Sequence, residues 1–286
     1  MQTVSLSWQH SGELAAVLAL TGLAMGRVRD GRVRSVAAFV RETAMIALLY
    51  GLWQLAGQLS VTGTHDAFVR ARWIERVQHD VFLPSEASVQ HLIIGHPLLV
   101  QGSNLYYAAM HFPMMFVFLI WMFVRHRDRY RPVRTVLAWT TLCCLLIQLI
   151  PVAPPRMLTG LGIKDTGLLY DQSVYANGFA FDQLSAMPSV HVTWAVLVGY
   201  YTWRIGVGPW RYLGVAHALM TTFVVVATGN HWWLDGIVGV AVLAVCARAV
   251  VGVRTAWHAV RTDVARDPVD GHAEDVLLRP RVTPSG

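Results

Sequence analysis

Trp233-Leu234-Asp235-Gly236-Ile237-Val238-Gly239-Val240-Ala241-Val242-Leu243-Ala244-Val245-Cys246-Ala247-Arg248-Ala249-Val250-Val251-Gly252-Val253 is an apolar run whose only charges are Asp235 near its start and Arg248 near its end. A bilayer's hydrocarbon core of about 30 Å takes about 20 mostly apolar residues in a helix. Residues 233–253 therefore predict a membrane span. Further apolar segments read the same way at 12–26, 43–60, 103–124, 133–152, 189–203 and 211–229, the first of them among the shortest. Composition agrees, with 55% of the 286 residues hydrophobic and only 14% charged, well to the apolar side of a soluble domain. The expected fold is all-α, a polytopic membrane protein.

Net charge is +6, and of the 23 basic residues only Lys164 is a lysine. The arginines sit beside the apolar runs instead of interleaving with aromatics on a polar surface, which marks topology and argues against nucleic acid as a partner. Arg27, Arg29, Arg32 and Arg34 form one loop, Arg125, Arg127, Arg129, Arg131 and Arg134 a second, and Arg204 and Arg211 a third. With alternating spans all three fall on one side, cytoplasmic by the positive-inside rule, and the tail after Arg254 joins them. The segments 64–101, 151–188 and 229–232 then face outward, as expected for a bacterial-type inner membrane protein with a periplasmic site. No basic residue precedes the first apolar stretch, so it reads as a retained anchor, not a cleaved signal. Cys143, Cys144 and Cys246 lie within apolar runs without metal-ligand spacing and read as core residues.

Between the second and third segments, Phe68, Trp73, Ile74, Val77 and Val81 alternate with Arg70, Arg72, Glu75 and Arg76 at helical spacing. This predicts an amphipathic helix in the membrane interface, the alternative being a surface helix of a small soluble insert. The tail from about Thr262 has no apolar periodicity and reads as disordered. The expected organisation is 1–100 as anchor helices and interfacial helix, 101–255 as a catalytic membrane core, and 256–286 as a cytoplasmic tail.

Three pieces of chemistry fall at outer helix ends. Ser185-Ala186-Met187-Pro188-Ser189-Val190-His191 opens the fifth span, where free backbone N–H groups and the Ser189 hydroxyl suit an anion and His191 suits proton donation. Taken alone, it also reads as a capped helix start with an interfacial histidine. His231-Trp232-Trp233-Leu234-Asp235 puts a histidine and a carboxylate at i and i+4 on one helix face. The carboxylate can hold one ring nitrogen as N–H and leave the other as a nucleophile, although an isolated interfacial His–Asp pair reads equally as structural. Pro151-Val152-Ala153-Pro154-Pro155-Arg156 places a guanidinium just past the fourth span, suited to phosphate or to snorkelling. Their convergence on one side is what points to a site.

Pro188-Ser189-Val190-His191 followed by His231-x-x-x-Asp235 resembles the second and third signature motifs of the type 2 phosphatidic acid phosphatase superfamily. The context Asn104 to Pro113 with His111, Ala153-Pro154-Pro155-Arg156, Ala186-Met187-Pro188-Ser189 and Ala227-Thr228-Gly229-Asn230-His231 is similar to a branch containing inositol phosphorylceramide synthases. The likeness covers about residues 100–250. It implies a six-helix transmembrane core, here with an added N-terminal anchor helix, and transfer through a phosphohistidine without metal or cofactor. His231 would be the nucleophile, Asp235 its orienting partner and His191 the leaving-group acid. Arg156, Ser189 and Val190 would bind phosphate oxygens. Three departures stand out: the Lys-x6-Arg-Pro motif is absent, with Arg156 as its stand-in; Val190 replaces a glycine; and Val225 replaces an arginine six residues before the nucleophile.

His111, Tyr107 and Asn104 share a stripe near the outer end of the third span, where they either hold a polar headgroup or pack. Asp182 and Gln183 either contact the headgroup or cap the helix. The expected activity is that of a lipid phosphatase on a phospholipid or polyprenyl phosphate. The alternatives are a phosphotransferase passing a headgroup phosphate to an alcohol such as inositol or a lipid hydroxyl, and a non-enzymatic transporter or scaffold with a degenerate site.

Overall fold

The computed structural model describes residues 7–59, 64–173 and 183–266. Among them the chain is all-helical, without strands. The helices are α1 (Trp8–Gly26), α2 (Gly31–Leu59), α3 (Thr64–Asp80), α4 (Glu86–Ile94), α5 (Pro97–Ala109), α6 (His111–Arg125), α7 (Arg127–Gln148), α8 (Thr166–Leu169), α9 (Val190–Ile205), α10 (Arg211–Ala227) and α11 (Trp233–Arg266). Two compact units divide the chain, 1–246 and 247–286. The first holds α1 to α10 and the start of α11; the second holds α11 as far as Arg266, beyond the end of its apolar run. The tail expected to be disordered from about Thr262 is helical as far as Arg266; its remainder, and Asp182, lie outside the described residues.

Within the described residues, two helices are long and apolar enough to cross a membrane, α2 over Gly31–Leu52 and α11 over Trp233–Ala256. A third span results if α5 and α6, bent by 51° at Met110, count as one. The expected count was larger, and for α9 and α10 helix length explains the difference. At 1.5 Å per residue, the 16 residues of α9 and the 17 of α10 reach only about 24 and 26 Å. The first two turns of α7 carry Arg127, Asp128, Arg129, Arg131 and Arg134, so only its second half is apolar. Close packing nonetheless ties these helices together. A Cβ on Gly199 of α9 would lie 2.9 Å from the Gly214 carbonyl of α10, so the two backbones approach as only glycines allow. In the N-terminal part, Gly22 of α1 lies against Arg41 of α2, and Glu42 of α2 pairs with Arg134 of α7 and accepts from the Tyr130 hydroxyl at 3.2 Å.

The segments at one end of α7, α9, α10 and α11 are knitted into a cap. Val152 N–H donates to Leu184 O at 2.6 Å and Ala186 N–H to Val152 O at 3.2 Å, pairing 152 with 185 as a single parallel bridge. Ala153 N–H donates to Ala67 O of α3 at 3.2 Å. The amphipathic helix α3 thus presents two faces. Ala67, Ala71 and Ile74 are buried with Val152, Ala153, Leu184, Ala186 and Trp232, whereas Val69 and Trp73 remain exposed. Small side chains at 67 and 71 let α3 approach the cap closely, which is why its inner face meets protein.

Candidate active site

Four stretches converge at this cap. The Thr228–Trp232 turn links α10 to α11; Gly229 has φ +69°, the left-handed region that favours glycine. Its carbonyl accepts the Arg156 N–H at 3.0 Å. A Cβ there would come within 2.8 Å of Ile163 Cγ2 and 3.1 Å of Arg156 Cβ. Gly229→Ala is therefore expected to destabilise the protein by about 1–3 kcal/mol and to lower turnover about tenfold by displacing Arg156. Thermal melting and a rate assay on the folded variant check both.

His231 is 5% exposed, and its Nδ1 lies 2.8 Å from the Ala186 carbonyl and 3.3 Å from Asp235 Oδ2. A carbonyl can only accept, so Nδ1 carries the hydrogen and the Nε2 lone pair is left over. Nε2 is buried and has no hydrogen-bond partner. Asp235, fully buried, also accepts the Trp232 N–H at 2.7 Å, reaching back over the first turn of α11 as the third residue of a capping box does.

His191, in the first turn of α9, has its ring centroid 5.6 Å from that of His231. Tyr107 stacks on it at 4.5 Å, and His111 meets it edge-on at 4.1 Å. Three residues from the Asn104–His111 stripe thus behave differently. Tyr107 and His111 flank His191, while Asn104 donates to Thr166 O at 2.9 Å and Gln172 Oε1 at 3.1 Å and accepts from Thr166 Oγ at 2.8 Å. Its amide holds the loop around α8.

Arg156 is buried in a 3-10 turn at Pro155–Met157, with Nε 3.2 Å from Asp165 Oδ2 and Nη2 donating to Gln183 Oε1 at 3.4 Å. A polar cleft beside it is lined by Asn104, Tyr107, Asp165, Gln172 and Asn230. Ser189 caps α9: its Oγ accepts the Val192 N–H at 3.3 Å, and its own N–H donates to the Asp235 carbonyl at 3.0 Å. Val190 is the first residue of that helix, whose opening N–H groups have no partners within it. The Ala186 carbonyl and Asp165 did not figure among the expected site residues. A backbone carbonyl leaves no mark in a side-chain motif, and Asp165 stands apart from every motif in sequence.

Fold and site define an all-helical membrane protein with a buried His–Asp pair, a second histidine and an arginine gathered at one end of its helices. A model of the PAP2 superfamily matches residues 72–249, and the chain belongs to that superfamily. The match starts within α3, earlier than the motifs quoted above. No curated protein and no solved structure matches the chain.

Proposed function

We propose that the chain is a membrane lipid phosphatase that works through a phosphohistidine on His231. Membership of the PAP2 superfamily supports lipid-phosphate chemistry of the phosphatase or phosphotransferase type. The observation that carries the specific mechanism is the state of His231: Nδ1–H is held twice and buried Nε2 is left with its lone pair. Nε2 attacks phosphorus, the P–O bond to the lipid breaks, and His191 in its protonated form gives the leaving oxygen its proton. Water, deprotonated by His191, then attacks the phosphohistidine and returns His231 to its starting state. Arg156, Ser189 and the opening N–H groups of α9 at Val190 meet the phosphoryl charge without a metal ion. Tyr107 and His111 hold the His191 ring.

A second reading rests on the cleft beside Arg156. Its polar lining of Asn104, Asp165, Gln172 and Asn230 offers hydrogen-bond partners to a hydroxyl, and an alcohol attacking in place of water would make the protein a phosphotransferase of the branch resembling inositol phosphorylceramide synthases. In either case we propose a six-helix membrane core behind an N-terminal anchor, with the site at the outer face, the exposed side of α3 in the interface and the tail in the cytoplasm. Purified protein incubated with phospholipids and polyprenyl phosphates, with and without alcohols, decides between them. Release of inorganic phosphate, undiminished by a chelator, supports the phosphatase; an alcohol-dependent phosphate ester, a monoester from a polyprenyl phosphate or a diester from a phosphodiester lipid, supports the transferase. No change in any lipid phosphate would overturn both.

The double grip on Nδ1 sets the effect of Asp235→Asn. In a serine-protease triad the corresponding change costs about 10⁴-fold, chiefly through the wrong tautomer. Here the Ala186 carbonyl still enforces Nδ1–H, so the expected loss in kcat is about 10- to 100-fold, with KM little changed. A loss as large as that of the triad would mean the carbonyl does not hold the ring.

A further inference from the structure

Resting on the reading of His231 as nucleophile, we propose that Gln78 and Glu86, from α3 and α4, are positioning residues that hold the start of α11 and, through it, the His231–Asp235 pair. The first N–H groups of a helix have no partners within it. At α11 three successive ones are taken by side chains. Trp232 N–H donates to Asp235 Oδ2 at 2.7 Å, Trp233 N–H to Glu86 Oε1 at 3.3 Å, and Leu234 N–H to Gln78 Oε1 at 2.9 Å. Gln78 Nε2 donates to Glu86 Oε1 at 2.8 Å, locking the two side chains to each other. Both are 4% exposed. The Trp233 indole adds a bond to Pro84 O at 2.8 Å, in the turn between α3 and α4.

The same element grips the other side of the His231 turn. Gln90 of α4 donates to Ala227 O, the last residue of α10, at 3.1 Å, and to Lys164 O at 3.0 Å, and accepts the Lys164 N–H at 2.7 Å. Residues 228–232 are therefore suspended between two helix ends, each fixed by α4. Burying a glutamate is costly, and burial pushes the Glu86 carboxyl above its usual value, a shift the Gln78 hydrogen bond opposes. Nothing in helix packing requires a buried polar side chain there; the open N–H groups of α11 require an acceptor. Because a nucleophile misplaced by about 1 Å can cost about 100-fold in rate, a bracket that sets the turn also sets turnover.

Hydrogen exchange and kinetics on detergent-solubilised full-length protein test this together. In Glu86→Ala, exchange of the 232–235 amides is expected to quicken about tenfold while α9 stays unchanged, and kcat is expected to fall about 30-fold with KM within about twofold. Glu86→Gln keeps an acceptor oxygen for Trp233 and should restore both. Gln78→Ala, which frees Leu234 N–H, should act like Glu86→Ala and serves if that variant does not fold. Unchanged exchange at 232–235 would overturn the bracket, and quickened exchange with undiminished kcat would overturn its role in positioning. Wild-type protein inactive on every lipid phosphate would instead sink the catalytic reading, and exchange alone would then decide the bracket.

Discussion

His231→Ala is expected to abolish turnover, by about 10⁴-fold or more, and to remove any phosphorus covalently bound to the protein. The size follows from the role: no other group near the phosphate can substitute for Nε2. His191 is the nearest imidazole, with centroids 5.6 Å apart, and it is held by Tyr107 and His111 on other faces. The fold does not depend on the ring, since Asp235 keeps the Trp232 N–H and the Ala186 N–H keeps its bond to Val152. A monodisperse gel-filtration peak at the wild-type position distinguishes a lost nucleophile from a lost fold. Near-normal turnover in folded variant protein would mean that His231 is not the nucleophile and that the phosphohistidine mechanism is wrong.

The second large effect concerns His191, whose task is protonation and so depends on what leaves. With an alkyl phosphate ester the leaving oxygen is a strong base, and His191→Ala is expected to cost about 10³-fold. With an aryl phosphate the leaving phenolate needs little help, and the loss should shrink to about tenfold. Comparing the two substrates on one preparation gives the check. Equal losses would assign His191 to phosphate binding or to holding the turn, not to proton donation.

How much of this was legible in the sequence varies by the kind of contact. The His231–Asp235 pair was, through its four-residue spacing, but not on one helix face: His231 lies in the turn before α11, and Asp235 reaches back to it from the first turn as the longer of two contacts on Nδ1. Helical periodicity located α3 from Phe68, Trp73 and Ile74. It did not reveal that Ala67 and Ala71, too small to mark an apolar face, would be the buried ones. Gln78 and Glu86 escaped notice for a different reason. They look like ordinary solvated residues, and their partners lie 156 and 147 positions away. Long-range hydrogen bonds to backbone carry no local pattern. Hydropathy marks where a chain is apolar but not where a helix stops; α9 and α10 end short of a bilayer's thickness, at Gly206 and Thr228.

Asn104 illustrates the same limit at the site. Its place on one stripe with Tyr107 and His111 leaves headgroup contact and packing both open, and its amide bonds Thr166 and Gln172, residues that periodicity in α5 cannot reach. Arg156 was visible because prolines frame it, while its partners Asp165 and Gln183 are brought in by loops.

The central claim is a covalent phosphoryl group on one nitrogen of one histidine. Rapid quenching of the enzyme with a phosphorus-labelled lipid substrate, followed by mass spectrometry under alkaline conditions and phosphorus NMR, reads it directly. The account predicts phosphate on the peptide containing His231, attached at Nε2, because Nδ1 is held by Ala186 and Asp235. Phosphate at Nδ1, on another residue, or on no residue while turnover proceeds would contradict it.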